Sequence, residues 1–344
     1  MLPSVLLHDH LDGGLRPSTV ISLAADAAVD LPTTDEDGLA NWFDQSEAQS
    51  LERYLEAFSV TTAVMQSEPA LRRVTLEALE DLAASGVAYA EIRFAPLLHT
   101  AGGLDMEEVV GVVLSAMRDT ELPIEARLIL CAMRQSDGVA LVAELAASAR
   151  DSGVVGFDLV GPERGYPASL HRTACETAAA AVGLTIHAGE AAGVDSIADA
   201  LSCGALRLGH GIEIAEDCVY QGPDIVGFGP IAAEVHDRRV PLEVCVSSNL
   251  DTKGWTPDRH PVGALHRAGF CVTLNTDDRL MTRTSIDREF SLVAEHHGFG
   301  IEDFAMVTRN ALAAAFCDDE LKERVWDRIA PAYAEAGAGV SGRW

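Results

Sequence analysis

Lysine is nearly absent. The 344 residues contain two, Lys253 and Lys322, and 25 basic groups in all stand against 53 acidic ones. The formal charge of −28 repels phosphate backbones and anionic lipid, so nucleic acid and membrane surfaces are poor partners for this chain. No Cys-x-x-Cys spacing occurs. The seven cysteines (131, 175, 203, 218, 245, 271 and 317) are odd in number and scattered, several within apolar runs, and read as reduced core residues of a cytoplasmic protein. No apolar run is long enough to cross a bilayer, and Met1 leads straight into Leu2, Pro3 and Ser4 without a basic segment, so neither a membrane span nor a signal peptide is expected. Linkers, repeats and low-complexity segments are missing too, and the expectation is a single domain over residues 1–344.

What is present is a rhythm. Short apolar runs at 5–8, 87–94, 126–133, 154–160, 184–187, 206–210, 242–246 and 270–275 have the length and composition of buried strands. Helical patterns alternate with them at 105–121, 136–150, 168–182, 194–202, 231–237 and 261–268, and again from Ser285 onward. Repeated βα units imply a parallel sheet, and eight of them imply a closed (β/α)8 TIM barrel with its active site at the C-terminal strand ends. Extra helices sit after the first strand and at the C-terminus, and residues 31–86 read as a helical insertion covering the barrel mouth. Within it Leu51, Tyr54, Leu55 and Phe58 recur at helical spacing, as an apolar lid or as plain core. An open doubly wound sheet is the runner-up, but no Gly-x-Gly-x-x-Gly follows an early strand.

The chain is organised around 184–190, Leu-Thr-Ile-His-Ala-Gly-Glu. It runs as a buried strand and then sets His187 and Glu190 at the strand's end, with Gly189 between them to turn the backbone. In a barrel this pair has company. Strand one ends in His8 and His10, whose i, i+2 spacing puts both on one face. Strand six ends in His210, and strand eight in Asp277 and Asp278. Imidazoles and a carboxylate converging on one mouth make a ligand set for Zn2+ or a similar divalent ion, with a position left for water.

Taken in order, His8-Asp-His10-Leu-Asp12-Gly13, His187-Ala-Gly-Glu190, Arg207-Leu-Gly-His210-Gly211, Ser247-Ser-Asn249-Leu and Asn275-Thr-Asp277-Asp278 resemble the adenosine deaminase family. Weaker echoes are Tyr89-Ala-Glu-Ile-Arg93-Phe-Ala-Pro96 and Asp158-Leu-Val-Gly161, and the likeness runs from about residue 5 to 315. The resemblance implies a (β/α)8 barrel with one zinc, held by His8, His10, His187 and Asp277. It implies hydrolytic deamination of adenosine or 2′-deoxyadenosine at purine C6, giving the inosine product and ammonia. Zinc lowers the pKa of its water toward ~7. Glu190 would protonate N1, which asks for a carboxyl pKa raised by an enclosed site. His210 would orient or deprotonate the water, Asp278 would bond N7, and Gly161 would offer its backbone N–H to N3. Asp12, in the His-x-His-Leu-Asp-Gly form, resembles the residue that bonds a ribose hydroxyl and favours a nucleoside over the free base; its plainer reading is a cap of the turn at Gly13. The implied partners are a small purine nucleoside and water.

Some positions depart from the family pattern. Arg279 follows Asp277-Asp278, and Val246 precedes Ser247, where many relatives carry proline; Asp9 faces away from the metal by strand alternation. Two rival enzymes lose ground. Binuclear barrel hydrolases bridge their metals with a carboxylated lysine on strand four, and neither Lys253 nor Lys322 lies there. Polynucleotide deaminases use His-x-Glu with Pro-Cys-x-x-Cys, which does not occur here. A larger N9-substituted adenine, or adenine itself, remains open as substrate, as does a barrel that binds purine without turning it over.

Overall fold

The computed structural model describes residues 2–339 apart from 47 and 49; Met1 and residues 340–344, which the single-domain expectation also takes in, lie outside the described residues. Among the described residues there are ten strands: β1 Ser4–His10, β2 Val87–Phe94, β3 Glu125–Met133, β4 Val154–Val160, β5 Gly183–Ala188, β6 Arg207–His210, β7 Cys218–Gln221, β8 Asp224–Phe228, β9 Leu242–Val244 and β10 Val272–Leu274. Eight form one parallel sheet in the order β1-β2-β3-β4-β5-β6-β9-β10. The ends of that order meet. The His10 N–H donates to the Asp277 carbonyl at 2.9 Å and the Asp277 N–H to the His8 carbonyl at 3.0 Å, a parallel bridge that closes the barrel just past β10. The expected (β/α)8 architecture is the observed one.

Two elements depart from the sequence expectation. Within the 31–86 insertion, the polar stretch 31–50, which shows no helical spacing in the sequence, contains the helix Glu36–Phe43, which Asp35 caps by accepting the Gly38 N–H at 2.7 Å. Between β6 and β9, where the sequence offers no strand pattern before the helix at 231–237, an antiparallel hairpin, β7 with β8, lies outside the barrel. The insertion after β1 also divides in two. Leu51–Tyr54 and Phe58–Val64 reach the mouth, while Glu68–Ala84 packs on Met106–Arg118 as a helix of the outer ring. Both long helices of the ring open on a side-chain cap, Ser67 and Asp105 respectively.

The barrel interior is polar. Alternation sends Glu91, Arg93, Asp158, Thr185, Arg207 and Glu243 inward, and all six are fully buried. Charges there persist only if paired. Arg93 bonds Asp158 at 2.5 Å and Glu243 at 2.8 Å, and Arg207 bonds Glu91 and Glu243 at 2.6 Å each. This ionic layer is the floor on which the site stands.

Candidate active site

Each site residue sits where a strand runs out. His8 and His10 end β1, His187 lies at the last turn of β5, His210 ends β6, and Asp277 follows β10. His8 Nε2 is 3.1 Å and His10 Nε2 3.4 Å from Asp277 Oδ1. The rings of His8 and His187 lie 4.6 Å apart, and that of His210 about 5 Å from each. One donor atom from each of His8, His187, His210 and Asp277 falls within a 4.8 Å group; His10, Asp277 and Asp278 form a second such group. His210 and Asp277 hold left-handed backbone angles, φ 61° and 56°, a strained conformation for residues with a Cβ. Strain of this kind is retained where surrounding structure dictates a side-chain direction.

The floor beneath aims the imidazoles. Glu243 sits 3.0 Å from His8 Nδ1 and Asp158 3.0 Å from His187 Nδ1. Burial alone raises a carboxyl pKa, but Arg93 and Arg207 hold Glu243 below its usual range, and the His187 and Arg93 side chains do the same for Asp158. Both therefore stay ionised. His8 Nε2, on the inward side, is fully buried and has no hydrogen-bond partner among the described residues. A buried orphan nitrogen facing a carboxylate and two more imidazoles, with its far nitrogen anchored, is what a zinc ligand requires. The donor set of histidine nitrogens and one carboxylate fits zinc chemistry.

Glu190 hangs over this cluster, its Oε2 3.6 Å from His210 Nε2. Burial, with the Asp277 charge added, pushes its carboxyl well above the usual carboxylate range. Its backbone is fixed by a residue that drew no notice in the sequence. The buried Glu163 carboxylate accepts N–H bonds from Gly189, Glu190, Ala191 and Ala192, at 2.8 to 3.3 Å. Asp278 accepts from the Tyr54 hydroxyl at 3.0 Å, and burial together with Asp277 raises its pKa as well. Asp12 Oδ2 lies 3.6 Å from His99 Nε2, and Asp12 Oδ1, 4.0 Å from His10 Nδ1, makes no hydrogen bond among the described residues.

These groups share one cavity of about 290 Å3. His10, Asp12, Gly161, His187, Glu190, His210, Asp277 and Asp278 line its base, and Leu51, Tyr54, Leu55, Phe58 and Thr62 its upper wall. His8, deeper still, does not reach the cavity surface. Gly161 holds φ 94°, which side-chain-bearing residues rarely adopt, and a Cβ there would displace the Gln135 amide oxygen, 2.6 Å away. Asp9 faces outward, bonded to Thr276 Oγ1 at 2.6 Å and to Arg279 Nε at 2.9 Å, so Arg279 braces the back of the β10–β1 closure. Val246 opens the helix Val246–Lys253. Sequence reasoning missed Glu243, Glu163 and His260, and gave Arg207, though it opens a quoted motif, no role. The available signal was a charge in the middle of an apolar strand, as with Glu243 in Leu242–Val244, since only a polar interior tolerates it.

The comparisons agree with this geometry. The family model described as adenosine deaminase matches residues 3–332. An adenosine deaminase of Mycobacterium marinum is 48% identical, covering 96% of this chain and 95% of that protein. Adenosine deaminase 1 of Streptomyces coelicolor is 47% identical over 97% of this chain and 87% of that protein. Among solved structures, an adenine deaminase from Arthrobacter aurescens superposes with a TM-score of 0.87 at 27% identity, covering 97% of this chain and all of that one. With a barrel closed at Asp277, a histidine and carboxylate cluster at its mouth and near-complete coverage by the family model, the chain belongs to the adenosine deaminase family.

Proposed function

We propose that the protein hydrolyses adenosine and 2′-deoxyadenosine to inosine and 2′-deoxyinosine, releasing ammonia. The observation that carries this reading is a buried, proton-holding Glu190 in the same cavity as Asp277, His210 and the imidazole cluster. His8, His10, His187 and Asp277 would hold one zinc. Once bound, it would make water acidic enough to ionise near neutral pH. The chain's residues supply the rest. Glu190 gives its proton to N1, which draws electron density from C6 and opens it to the water oxygen. Asp277 takes one proton from the water and passes it to the departing amine, and the second returns to Glu190 as the C6 carbonyl forms. His210 steadies the water and the charge that develops on its oxygen. Asp278 faces N7 and the Gly161 N–H faces N3, so the purine is read on both edges.

Asp12 decides between nucleoside and base. Its side chain lines the cavity, and its Oδ1 makes no hydrogen bond among the described residues; a ribose supplies a hydroxyl for such a carboxylate where adenine does not. Adenine and larger N9-substituted adenines remain the second reading, favoured by the fold's likeness to the Arthrobacter enzyme. Leu51–Tyr54 and Phe58–Val64, the mouth-facing part of 31–86, close over the bound purine. All seven cysteines are free thiols, which suits a cytoplasmic protein; no helix among the described residues is long and apolar enough to cross a membrane.

An ultraviolet assay of adenosine, 2′-deoxyadenosine, adenine and adenosine monophosphate, with and without a chelator, tests the assignment. The nucleosides should turn over fastest and a chelator should stop them; turnover of adenine alone would overturn the nucleoside reading. Asp12→Glu, which adds a methylene toward the sugar space, should lower kcat/KM for adenosine by ~10-fold or more while adenine binding changes little. Equal losses on both would end the ribose role.

A further inference from the structure

His8, His187 and His210 all come within reach of one another and of Asp277, yet their far nitrogens meet opposite chemistry. Those of His8 and His187 face carboxylates, which only accept. Each of these rings therefore carries its proton on Nδ1 and turns a bare Nε2 into the site. His210 Nδ1 instead lies 3.0 Å from the Asn249 side-chain amide nitrogen. The direction of that bond is set one residue further on. The Val262 backbone N–H donates to His260 Nδ1 at 3.1 Å, and a backbone amide cannot do otherwise. Burial lowers the His260 pKa to about 3, so the ring is neutral and its proton sits on Nε2. That Nε2–H donates to Asn249 Oδ1, 3.2 Å away. The amide is thereby oriented: its NH2 faces His210, and His210 Nδ1 accepts.

We propose that Asn249 and His260 are positioning residues that hold His210 in the Nε2–H form, which keeps it out of the metal ligand set and makes it a hydrogen-bond donor to the water oxygen rather than the group that removes the water's proton. The cluster of three close histidines is thus sorted by its supports: two rings offer lone pairs inward, and one offers a hydrogen. Of the two roles expected for His210 from sequence, orienting and deprotonating, the relay leaves the first, and Asp277 is the remaining acceptor.

The test is histidine tautomer NMR on the zinc-loaded full chain labelled with 15N-histidine, beside kinetics on adenosine. In the wild type, His210 should show an unprotonated Nδ1 and a protonated Nε2. Asn249→Asp keeps the side-chain shape and still accepts from His260, but it has no hydrogen for His210. The tautomer should reverse, and kcat should fall ~10²-fold or more with KM and metal content little changed, as a wrong imidazole tautomer does in other enzymes. His260→Gln puts an amide N–H against the same Asn249 oxygen and should retain both tautomer and rate, whereas His260→Leu should lose both. A protonated Nδ1 on wild-type His210, or an unmoved tautomer in Asn249→Asp, would overturn the relay; the wild-type spectrum decides even if the variant does not fold. The kinetic arm alone rests on the proposed reaction. A chain with the stated tautomers but no deaminase activity would sink that reaction and leave the relay standing.

Discussion

Glu190 lies 3% exposed at the end of β5, and a carboxyl so placed keeps its proton because water cannot solvate its anion. A glutamine there would preserve the hydrogen-bonding shape but carries no proton to transfer. Glu190→Gln should therefore lower kcat ~10² to 10⁴-fold while a metal assay finds the zinc still bound, since no ligand is touched; full activity would remove Glu190 from the acid role. His260 makes a second residue-level prediction, on stability. Its folded pKa of about 3 lies below the ordinary 6.5 because burial penalises the charged ring. The unfolded chain thus binds a proton that the folded one refuses as pH falls below 6.5, and folding is penalised in that window. Above pH 6.5 both states are neutral and the penalty vanishes. The slope approaches ~1.4 kcal/mol per pH unit between the two values. Urea unfolding of wild type and His260→Gln should show the wild type losing stability faster as pH is lowered from 7 to 5. Parallel curves would mean that the ring titrates normally in the folded protein.

At the scale of the element, β6 shows how a strand makes room for its neighbour's side chain. Gly209 pairs with His187 on one side and Glu243 on the other. A Cβ at 209 would meet His187 Nδ1 at 3.0 Å and its Cα at 3.1 Å, so the ring that Asp158 holds would have to move. Gly209→Ala should fold but bind zinc ~10 to 100-fold more weakly, the cost of a displaced supporting contact. Competition with a coloured chelator measures it, and an unchanged affinity would show that the ring has slack. The same strand marks what sequence could reveal. Strands β2, β4 and β5 were legible because each is mostly apolar and of strand length, with Glu91, Arg93 and Asp158 as the charged exceptions, and β5 carries His187 at its end. The candidate site motifs were legible because they sit at strand ends. The helix Glu36–Phe43 was not, since Leu39 and Phe43 are its only buried side chains and a polar face hides so narrow a stripe. The β7–β8 hairpin was not, because Val219, Tyr220, Val226 and Phe228 are all exposed while Cys218 and Ile225 pack against the core, too few for an apolar alternation to stand out. Contacts that join residues far apart in sequence, such as Arg93 with Glu243, leave no local pattern at all. The Asn249–His260 pair lies within one short segment, yet its meaning depends on the distant His210.

For the whole molecule, Arg93 joins the parts. From β2 it bonds Asp158 on β4 and Glu243 on β9, and donates to the Leu7 carbonyl on β1, so one guanidinium ties four strands of the barrel. Its two carboxylates are also the supports of His187 and His8. Arg93→Met keeps the volume and removes the charge. Two buried carboxylates are then left with less cation between them, Glu243 retaining Arg207 and Asp158 retaining only the imidazole. Breaking one side of a buried pair costs ~3 to 5 kcal/mol, and the urea midpoint should fall accordingly. The loss should not stop at stability. A carboxyl without its arginine is pushed upward by burial and takes a proton, and a protonated Asp158 no longer obliges His187 to keep its own proton on Nδ1. The bare Nε2 that the metal needs is then populated less, so zinc affinity should fall together with the midpoint. Arg93→Lys keeps one charge but cannot bridge two carboxylates and a carbonyl at once, and should sit between the two. A variant that unfolds at the wild-type urea concentration, or one that loses stability while binding zinc as tightly as before, would show that the ionic floor and the imidazole cluster are independent.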